Sequence, residues 1–270
     1  ARACDRRRFF GLAVVSPDDA ERDVRRWIED LGLIGFKPYH SLVTRPTRPE
    51  VGIPDMLPEA QMRVADDRRL IVMLHIPRHA RLADPRNKRE IAALAEAYPN
   101  AAIVLAHIGR AYYLKCVIGH LEEVREHPNV YIDLAMLNHW EVLEHAFREF
   151  PRDRIIFGSD MPISGLGGKS VEINDQYAYI LEDDVSIGAS IYDADHAVTF
   201  TYFYYEELRA IRKAAQRARL SRRELEAIFF DNAMRLIRRA AEAECANIVA
   251  KKGQSLFRAR IHRGPREVNW

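Results

Sequence analysis

Six short runs of mainly apolar residues recur along the chain, and longer stretches with helical spacing separate them. The runs lack the alternation of apolar and polar residues that marks a strand with one exposed face, so we predict strands buried on both faces of a parallel sheet. The predicted strands are Phe9–Val15, Leu33–Pro38, Leu70–His75, Ala102–His107, Val130–Ala135 and Arg154–Phe157. One predicted helix between them ends at Leu31, and three others span Lys88–Tyr98, Leu114–Glu126 and Trp140–Phe150.

This strand-then-helix repeat leaves two α/β architectures, an open doubly wound sheet or a closed (β/α)8 barrel. An open nucleotide-binding sheet usually carries a glycine-rich turn after a strand, and the sequence has neither a G-x-G-x-x-G nor a Walker pattern. Reactive side chains instead follow several strands, as they do at the catalytic rim of a barrel. We therefore predict one TIM-like barrel domain over residues 1–250 and a basic C-terminal tail over residues 251–270.

Composition narrows the function classes. The 270 residues are 48% hydrophobic, which is enough for a large core, and the formal net charge of +2 gives no overall field that favours nucleic acid or an anionic membrane. Three cysteines without close spacing cannot form a disulfide framework, and no apolar run is long enough to span a bilayer. We expect a cytoplasmic protein that binds a small molecule, without a nucleic-acid or membrane partner, and we leave open assembly into a homo-oligomer.

Candidate chemistry lies at the strand ends. His75 follows the third run, His107 ends the fourth and Asp160 follows the sixth, so a barrel would bring all three to its C-terminal rim. Two imidazoles and a carboxylate suit Zn²⁺ or a similar divalent ion, which lowers the pKa of its bound water to about 7. We predict a metal site of His75, His107 and Asp160, in which Asp160 also accepts a proton from water. A single histidine after an apolar run is more often a core residue, so the prediction depends on the three together.

Four further residues are predicted to bind substrate. Lys37 and His40 close the second run, and Lys37 either anchors an anionic substrate or, if carbamylated, bridges two metal ions. Arg78 and Arg110 each lie three residues after a candidate ligand, where a pair of guanidinium groups would clamp a carboxylate. Solvated lysine and arginine side chains are the alternative for these positions.

Four strand segments, Met73-Leu74-His75, Ile103 to Gly109, Val130 to Leu134 and Arg154 to Pro162, and a helical segment, Asp231 to Leu236, share their order and spacing with one known family. They resemble strands five to eight and the last helix of the amidohydrolase-related family of metal-dependent hydrolases. The resemblance implies a distorted (β/α)8 barrel that hydrolyses, hydrates or decarboxylates small acids. It also implies that His75 binds the metal, that His107 binds it or acts as a catalytic acid or base, and that Asp160 is both ligand and general base.

The sequence departs from that family in two places. The family's first strand carries a His-x-His pair of ligands, and none occurs in these 270 residues, so the visible strands correspond to strands three to eight. We expect a fragment without its first two strands, inactive by itself; a variant that binds metal poorly is the alternative. The second departure is an insertion at about 165–205, β-like from Ile191 to Tyr205, which we expect to be a lid or an oligomer contact. A variable surface loop is the alternative. Beyond it, we predict a helix over Glu206–Arg219 and a capping box at Ser221 and Glu224.

These observations favour a metal-dependent hydrolase that cleaves a C–O or C–N bond of a small, carboxylate-bearing substrate with metal-activated water. Zinc is the expected metal and manganese the alternative, because imidazole and carboxylate ligands suit both. A nonoxidative decarboxylase that uses the same metal site is the first alternative function. A noncatalytic barrel that acts as a binding module is the second.

Overall fold

Six parallel strands form one sheet in the order in which they occur along the chain. The computed structural model describes residues 9–46, 50–185, 187 and 190–243. The strands are β1 (Ala13–Val15), β2 (Gly35–Pro38), β3 (Ile71–Leu74), β4 (Ala102–Leu105), β5 (Val130–Asp133) and β6 (Ile155–Ile156). All six lie inside the predicted runs, so the apolar pattern alone located them. The predicted tail at 251–270 and the end of the predicted domain, 244–250, lie outside the described residues.

The strand order favours the barrel over the open sheet. Each strand pairs in parallel with the next one along the chain, as in the register of Ile71 with Ala102 and of Leu74 with Leu105. A doubly wound sheet reverses its order at a switch point, whereas a barrel adds each strand to the same side. Here β1 and β6 form the two edges of the sheet. The architecture is therefore an α/β fold with six consecutive barrel-type strands.

Helices cover one face of this sheet. The helices are α1 (Glu21–Leu31), α2 (Ile53–Met56), α3 (Glu59–Asp67), α4 (Pro85–Ala97), α5 (His107–Arg110, one left-handed turn), α6 (Leu121–Val124), α7 (Trp140–Glu149), α8 (Phe203–Arg217) and α9 (Arg222–Glu226). A π-helical turn, Ala227–Asp231, then leads into helix residues 232–243. The main core lies between these helices and strand residues such as Val72, Ile103 and Ile132, which are all fully buried.

The other face of the sheet packs against the last helix. Ile71, Val104 and Ile156 form a second apolar cluster with Leu236 and Ala240 from residues 232–243. A cavity of about 380 Å³ remains between this helix and the strands, and apolar side chains line it. Most positions on both faces of the strands are thus buried, which explains why their sequences are mainly apolar.

One local prediction is confirmed and one is wrong. The capping box of Ser221 and Glu224 starts α9, as predicted. Asp84, for which no cap was predicted, caps α4 by accepting hydrogen bonds from backbone N–H groups. The predicted helix over Leu114–Glu126 is interrupted, because Gly119 has a φ of 76° and only α6 follows it. A left-handed φ ends a helix, and glycine adopts it without a steric cost.

The insertion forms a small sheet of its own. Strands β7 (Gly168–Ile173) and β8 (Gln176–Leu181) form an antiparallel hairpin, and β9 (Ser190–Tyr192) pairs in parallel with β8. Most of the β-structure therefore precedes the segment in which we predicted it. The predicted helix after the insertion begins earlier than expected, since α8 starts at Phe203. Among the helices of the described chain, none has both the length and the apolar character of a membrane span.

Candidate active site

The structure brings three histidines together at the carboxyl ends of the strands. The ring centroids of His75 and His107 are 5.4 Å apart, and their planes are nearly perpendicular at 85°. His40, in the turn after β2, stacks on His75 with centroids 5.9 Å apart. Asp160 joins this group, because its Oδ2 atom lies 3.9 Å from His107 Nε2. Residues far apart in the sequence thus meet at one rim, as the parallel topology requires.

His107 is held in a strained backbone conformation. All four residues of α5 have φ between 51° and 62°, the left-handed region that non-glycine residues seldom occupy. The buried Asp133 carboxylate holds the start of this turn by accepting the His107 backbone N–H at 2.8 Å. Such strain persists only where the surrounding structure fixes it, and it is concentrated at functional sites.

The side chain of His107 has a defined tautomer. Its Nδ1 atom lies 2.9 Å from the carbonyl oxygen of Ala135. A carbonyl can only accept a hydrogen bond, so Nδ1 carries the hydrogen. The Nε2 atom of the neutral ring then presents a lone pair towards Asp160, which is the arrangement found where a histidine binds a metal or accepts a proton.

His75 is held in its neutral form. Burial lowers the pKa of His75 well below the usual value for histidine, and the charges of Arg110 and His107 lower it further. Among the described residues, no hydrogen-bond partner reaches its buried Nδ1 atom. A neutral imidazole with an unpartnered nitrogen is suited to bind a metal ion.

The residues fit a divalent ion in part. An ion that binds His107 Nε2 and Asp160 Oδ2 at about 2.0–2.2 Å spans at most roughly 4.4 Å between them, and the observed 3.9 Å lies within that limit. Within the described ranges, however, no group of three or more His, Cys, Asp or Glu side chains gathers closely enough to hold one ion. The structure thus places His107 and Asp160 within reach of one ion, with His75 beside them.

Two buried carboxyl groups behind the rim were not found from the sequence. Asp133 is 5% exposed and accepts hydrogen bonds from two backbone N–H groups, and burial raises its pKa. Glu207, on α8, is 0% exposed. Asp133 lies inside a predicted strand and offered a weak signal, whereas Glu207 lies among the polar residues of an amphipathic helix and offered none.

Arg110, like His40, is a predicted substrate residue that lies beside His75. It donates from Nη1 to the carbonyl oxygen of Ile76, next to His75, and its buried Nε atom has no partner among the described residues. Burial lowers the pKa of Arg110, and the charge of Arg81 lowers it further. Neither guanidinium has a carboxylate partner in the described part of the chain. Two neighbouring cations without a counterion favour binding of an anion.

Arg81 was missed by the sequence analysis, although it is 7% exposed and belongs to the rim. Its guanidinium carbon lies 4.0 Å from the ring centroid of Tyr177 and 5.3 Å from that of Tyr112. It also donates to the Tyr177 hydroxyl. Tyr112 in turn stacks on His107, with centroids 5.9 Å apart. These aromatic contacts connect the insertion with the histidines.

The other two predicted substrate residues, Arg78 and Lys37, contact other side chains. Arg78 forms an ion pair with Asp84, from Nε to Oδ2 at 3.0 Å, and so has a counterion within its own loop. Lys37, on β2, places its ammonium 5.1 Å from the ring centroid of Tyr39. Tyr39 is itself a neighbour of His75, at 6.4 Å between ring centroids.

The β7–β8 hairpin is fastened over the rim at three points. Glu172 lies 2.7 Å from His139 Nε2 and also accepts the backbone N–H of Leu114. Asp175 lies 3.3 Å from the ammonium of Lys115. Tyr177 contacts Arg81. The partners belong to the loops after β3, β4 and β5, so the predicted insertion lies across the carboxyl end of the sheet.

The comparison with known families agrees with this fold. The family model described as amidohydrolase matches residues 1–239. The chain therefore belongs to the amidohydrolase family. No curated protein matches the sequence.

The chain is similar to solved structures of proteins that are named for different reactions. 4-Oxalomesaconate hydratase from Rhodopseudomonas palustris is 18% identical with a TM-score of 0.51, over 90% of this chain and 70% of that one. A zinc-bound amidohydrolase from Burkholderia multivorans is 15% identical with a TM-score of 0.46, over 84% and 83%. A dihydroxybenzoic acid decarboxylase from a Polaromonas species, with manganese and an inhibitor, is 18% identical with a TM-score of 0.45, over 86% and 69%. The hydratase supports the shared fold and does not define the reaction.

Proposed function

We propose that this protein is a metal-dependent hydrolase that cleaves a C–O or C–N bond of a small, carboxylate-bearing substrate. The observation that carries the proposal is the meeting of His75, His107 and Asp160 at the carboxyl ends of the strands, beside the uncompensated Arg110. Membership of the amidohydrolase family supports enzymatic activity. The reaction type comes from the chemistry of these side chains.

His107 and Asp160 would bind the metal ion, zinc or manganese, and His75 beside them would be its third ligand once its ring moves within reach. When bound, a divalent ion lowers the pKa of water and polarises a carbonyl group. Asp160 has a side chain that is 33% exposed, so it can meet a water molecule and accept its proton. The Ala135 carbonyl keeps the Nε2 lone pair of His107 directed towards Asp160.

Arg110 and Arg81 would bind the substrate carboxylate. A guanidinium group matches a carboxylate with two parallel hydrogen bonds, and Arg110 has donors that the described protein groups do not use. Tyr112 and Tyr177 border this position with their rings 4.7 Å apart. An anion at this point would also offset the cost of two neighbouring cations.

The test is a screen of small esters, lactones and amides that carry a carboxylate, with the zinc-loaded and the manganese-loaded protein. Hydrolysis in water enriched in ¹⁸O should place one labelled oxygen in the product, because water supplies the new C–O bond. Asp160→Asn should abolish turnover. Release of CO₂ from an aromatic or unsaturated acid, without ¹⁸O in the organic product, would contradict the hydrolase and identify a decarboxylase. Failure to bind metal or to turn over any substrate, both in this chain and in one extended upstream by a strand with a His-x-His pair, would favour a binding module.

A further inference from the structure

The turn after β5 connects the candidate site with α8. Its Ala135 carbonyl binds His107 Nδ1, and its Ala135 N–H is held by Asp133. Met136 has a φ of 61°, so this turn passes through the left-handed region and needs external support. Asn138, at its end, donates to the Phe203 carbonyl oxygen at the start of α8.

Glu207 supplies that support from within the core. Its Oε2 atom accepts the backbone N–H of Met136 at 3.2 Å. The side chain is 0% exposed, and its Oε1 atom has no partner among the described residues. A buried carboxyl group with one hydrogen bond is expensive to retain, and shape-filling apolar residues would suit a helix face better. Its presence indicates that holding Met136 has a function.

We propose that Glu207 is a positioning residue for His107, acting through the turn at residues 134–138. The connection runs from Glu207 to Met136 N–H, across one peptide unit to the Ala135 carbonyl, and from there to His107 Nδ1. Without the hydrogen bond from Met136 N–H to Glu207, the turn is no longer held at the peptide unit whose carbonyl sets the His107 tautomer. The importance of that tautomer rests on the proposed function, whereas the coupling itself is a property of the fold.

Burial also keeps Glu207 neutral. It raises the pKa of Glu207 to about 9, and the carboxylates of Asp133 and Asp160 act in the same direction. A neutral carboxyl group close to those carboxylates adds no third negative charge behind the site. Glutamine keeps both the neutral charge and the carbonyl acceptor, so Glu207→Gln is the conservative variant, and Glu207→Met removes the acceptor at nearly the same volume.

The test is ¹⁵N NMR of protein labelled at the histidine side chains, with His107 assigned by its loss in His107→Gln. In the wild type and in Glu207→Gln, His107 should show a protonated Nδ1 and an unprotonated Nε2. In Glu207→Met, the two ring nitrogens should shift towards each other as a mixture of tautomers forms. Ile211→Ala is the control, because it leaves a cavity at a buried position one turn further along the same helix.

Retention of the wild-type His107 signals in a folded Glu207→Met would overturn the proposal, as would an equal shift in Ile211→Ala. If Glu207→Met does not fold, Glu207→Asp takes its place, since the shorter side chain withdraws the carboxyl group from Met136 while keeping its chemistry. Unchanged His107 signals in Glu207→Asp would then refute the coupling. This readout needs neither metal nor substrate, so it stays distinguishable from failure of the proposed hydrolase activity.

Discussion

The loops after β3 and β4 share one short pattern, a histidine followed three residues later by an arginine, and they use it differently. In the loop after β3, Arg78 pairs with Asp84, and His75 has an Nδ1 atom without a partner among the described residues. In the loop after β4, the roles are exchanged. His107 is fixed by the Ala135 carbonyl, and Arg110 lies beside a second cation without a counterion.

The difference shows how position, rather than residue type, assigns chemistry. Asp84 sits at the N-terminus of α4, where its carboxylate caps the helix and neutralises Arg78 at the same time. A short left-handed turn, α5, follows β4, and no carboxylate among the described residues pairs with Arg110. We therefore propose that Arg110 binds an external anion, whereas Arg78 is paired with Asp84.

The largest expected effect concerns the two histidines. His107→Ala and His75→Ala should each abolish stoichiometric binding of zinc or manganese. The loss of metal affinity should exceed roughly 10–100-fold, which is the cost of removing a residue that only supports a metal ligand. Elemental analysis after loading and desalting measures this directly. His79→Ala, an exposed histidine in the loop after β3, is the matched control and should retain the metal. Equal metal content in His107→Ala and the wild type would remove His107 from the site.

The next effect concerns Glu207, which in our proposal positions His107 and has no such role for His75. Because the pKa of Glu207 is raised to about 9 in the folded protein, the wild type binds an extra proton relative to the unfolded chain between about pH 4.5 and 9. Its free energy of unfolding should therefore fall as the pH rises through this range, by up to about 1.4 kcal/mol for each pH unit. Glu207→Gln should lack this contribution. Denaturant unfolding at pH 5, 7 and 9 provides the measurement, and parallel curves for both proteins would contradict it.

A smaller effect separates the two arginines. Arg110→Met should weaken binding of a simple carboxylate such as benzoate by about 10–100-fold, since hydrogen bonds to a charged group contribute about 1.5–3 kcal/mol. Arg78→Met should leave that affinity unchanged. Isothermal titration calorimetry compares them. The Arg110 variant should also gain stability, because it removes a half-buried cation without a counterion. Equal losses of affinity in both variants would show that the loops are equivalent.

The smallest effect tests the structural role of the loop after β3. Asp84→Ala should lower the free energy of unfolding by about 1 kcal/mol through loss of the α4 cap. Burial acts to raise the pKa of Asp84, but Arg78 and the N–H groups of Arg86 and Asn87 outweigh it and lower the pKa. This contribution should therefore be present above the unfolded value near 3.8 and disappear as the pH falls further. Thermal unfolding at pH 7 and pH 3 measures both effects, and an unchanged melting temperature at pH 7 would contradict the cap.

Local predictions from the sequence were confirmed where the signal lies within one element. The six strands follow from apolar runs, and the α9 capping box follows from Ser221 and the residue three positions later. The predicted helix at Leu114–Glu126 was wrong because a single left-handed residue, Gly119, ends it. Periodicity records which face of a segment is buried, and it carries no record of one φ angle.

The residues of the candidate site also divide into those that the sequence revealed and those that it did not. The positions of His75, His107 and Asp160 at strand ends were visible in the sequence, because parallel strands end at one rim. Arg81 was not, since its partner Tyr177 is 96 residues away on the inserted hairpin. Glu207 was not visible either, because its burial depends on how α8 packs against the turn after β5.

The sequence by itself determined the kind of fold, the order of its strands and the donors available at the rim. Those features depend on hydrophobic burial and on the polarity of a parallel strand, which act along the chain. The tertiary structure alone decided which charges are neutralised, as with Arg78 against Arg110, and which imidazole has a fixed tautomer. Counterions and hydrogen-bond partners come from segments that are brought together only by packing, and their effects fall off over a few ångströms.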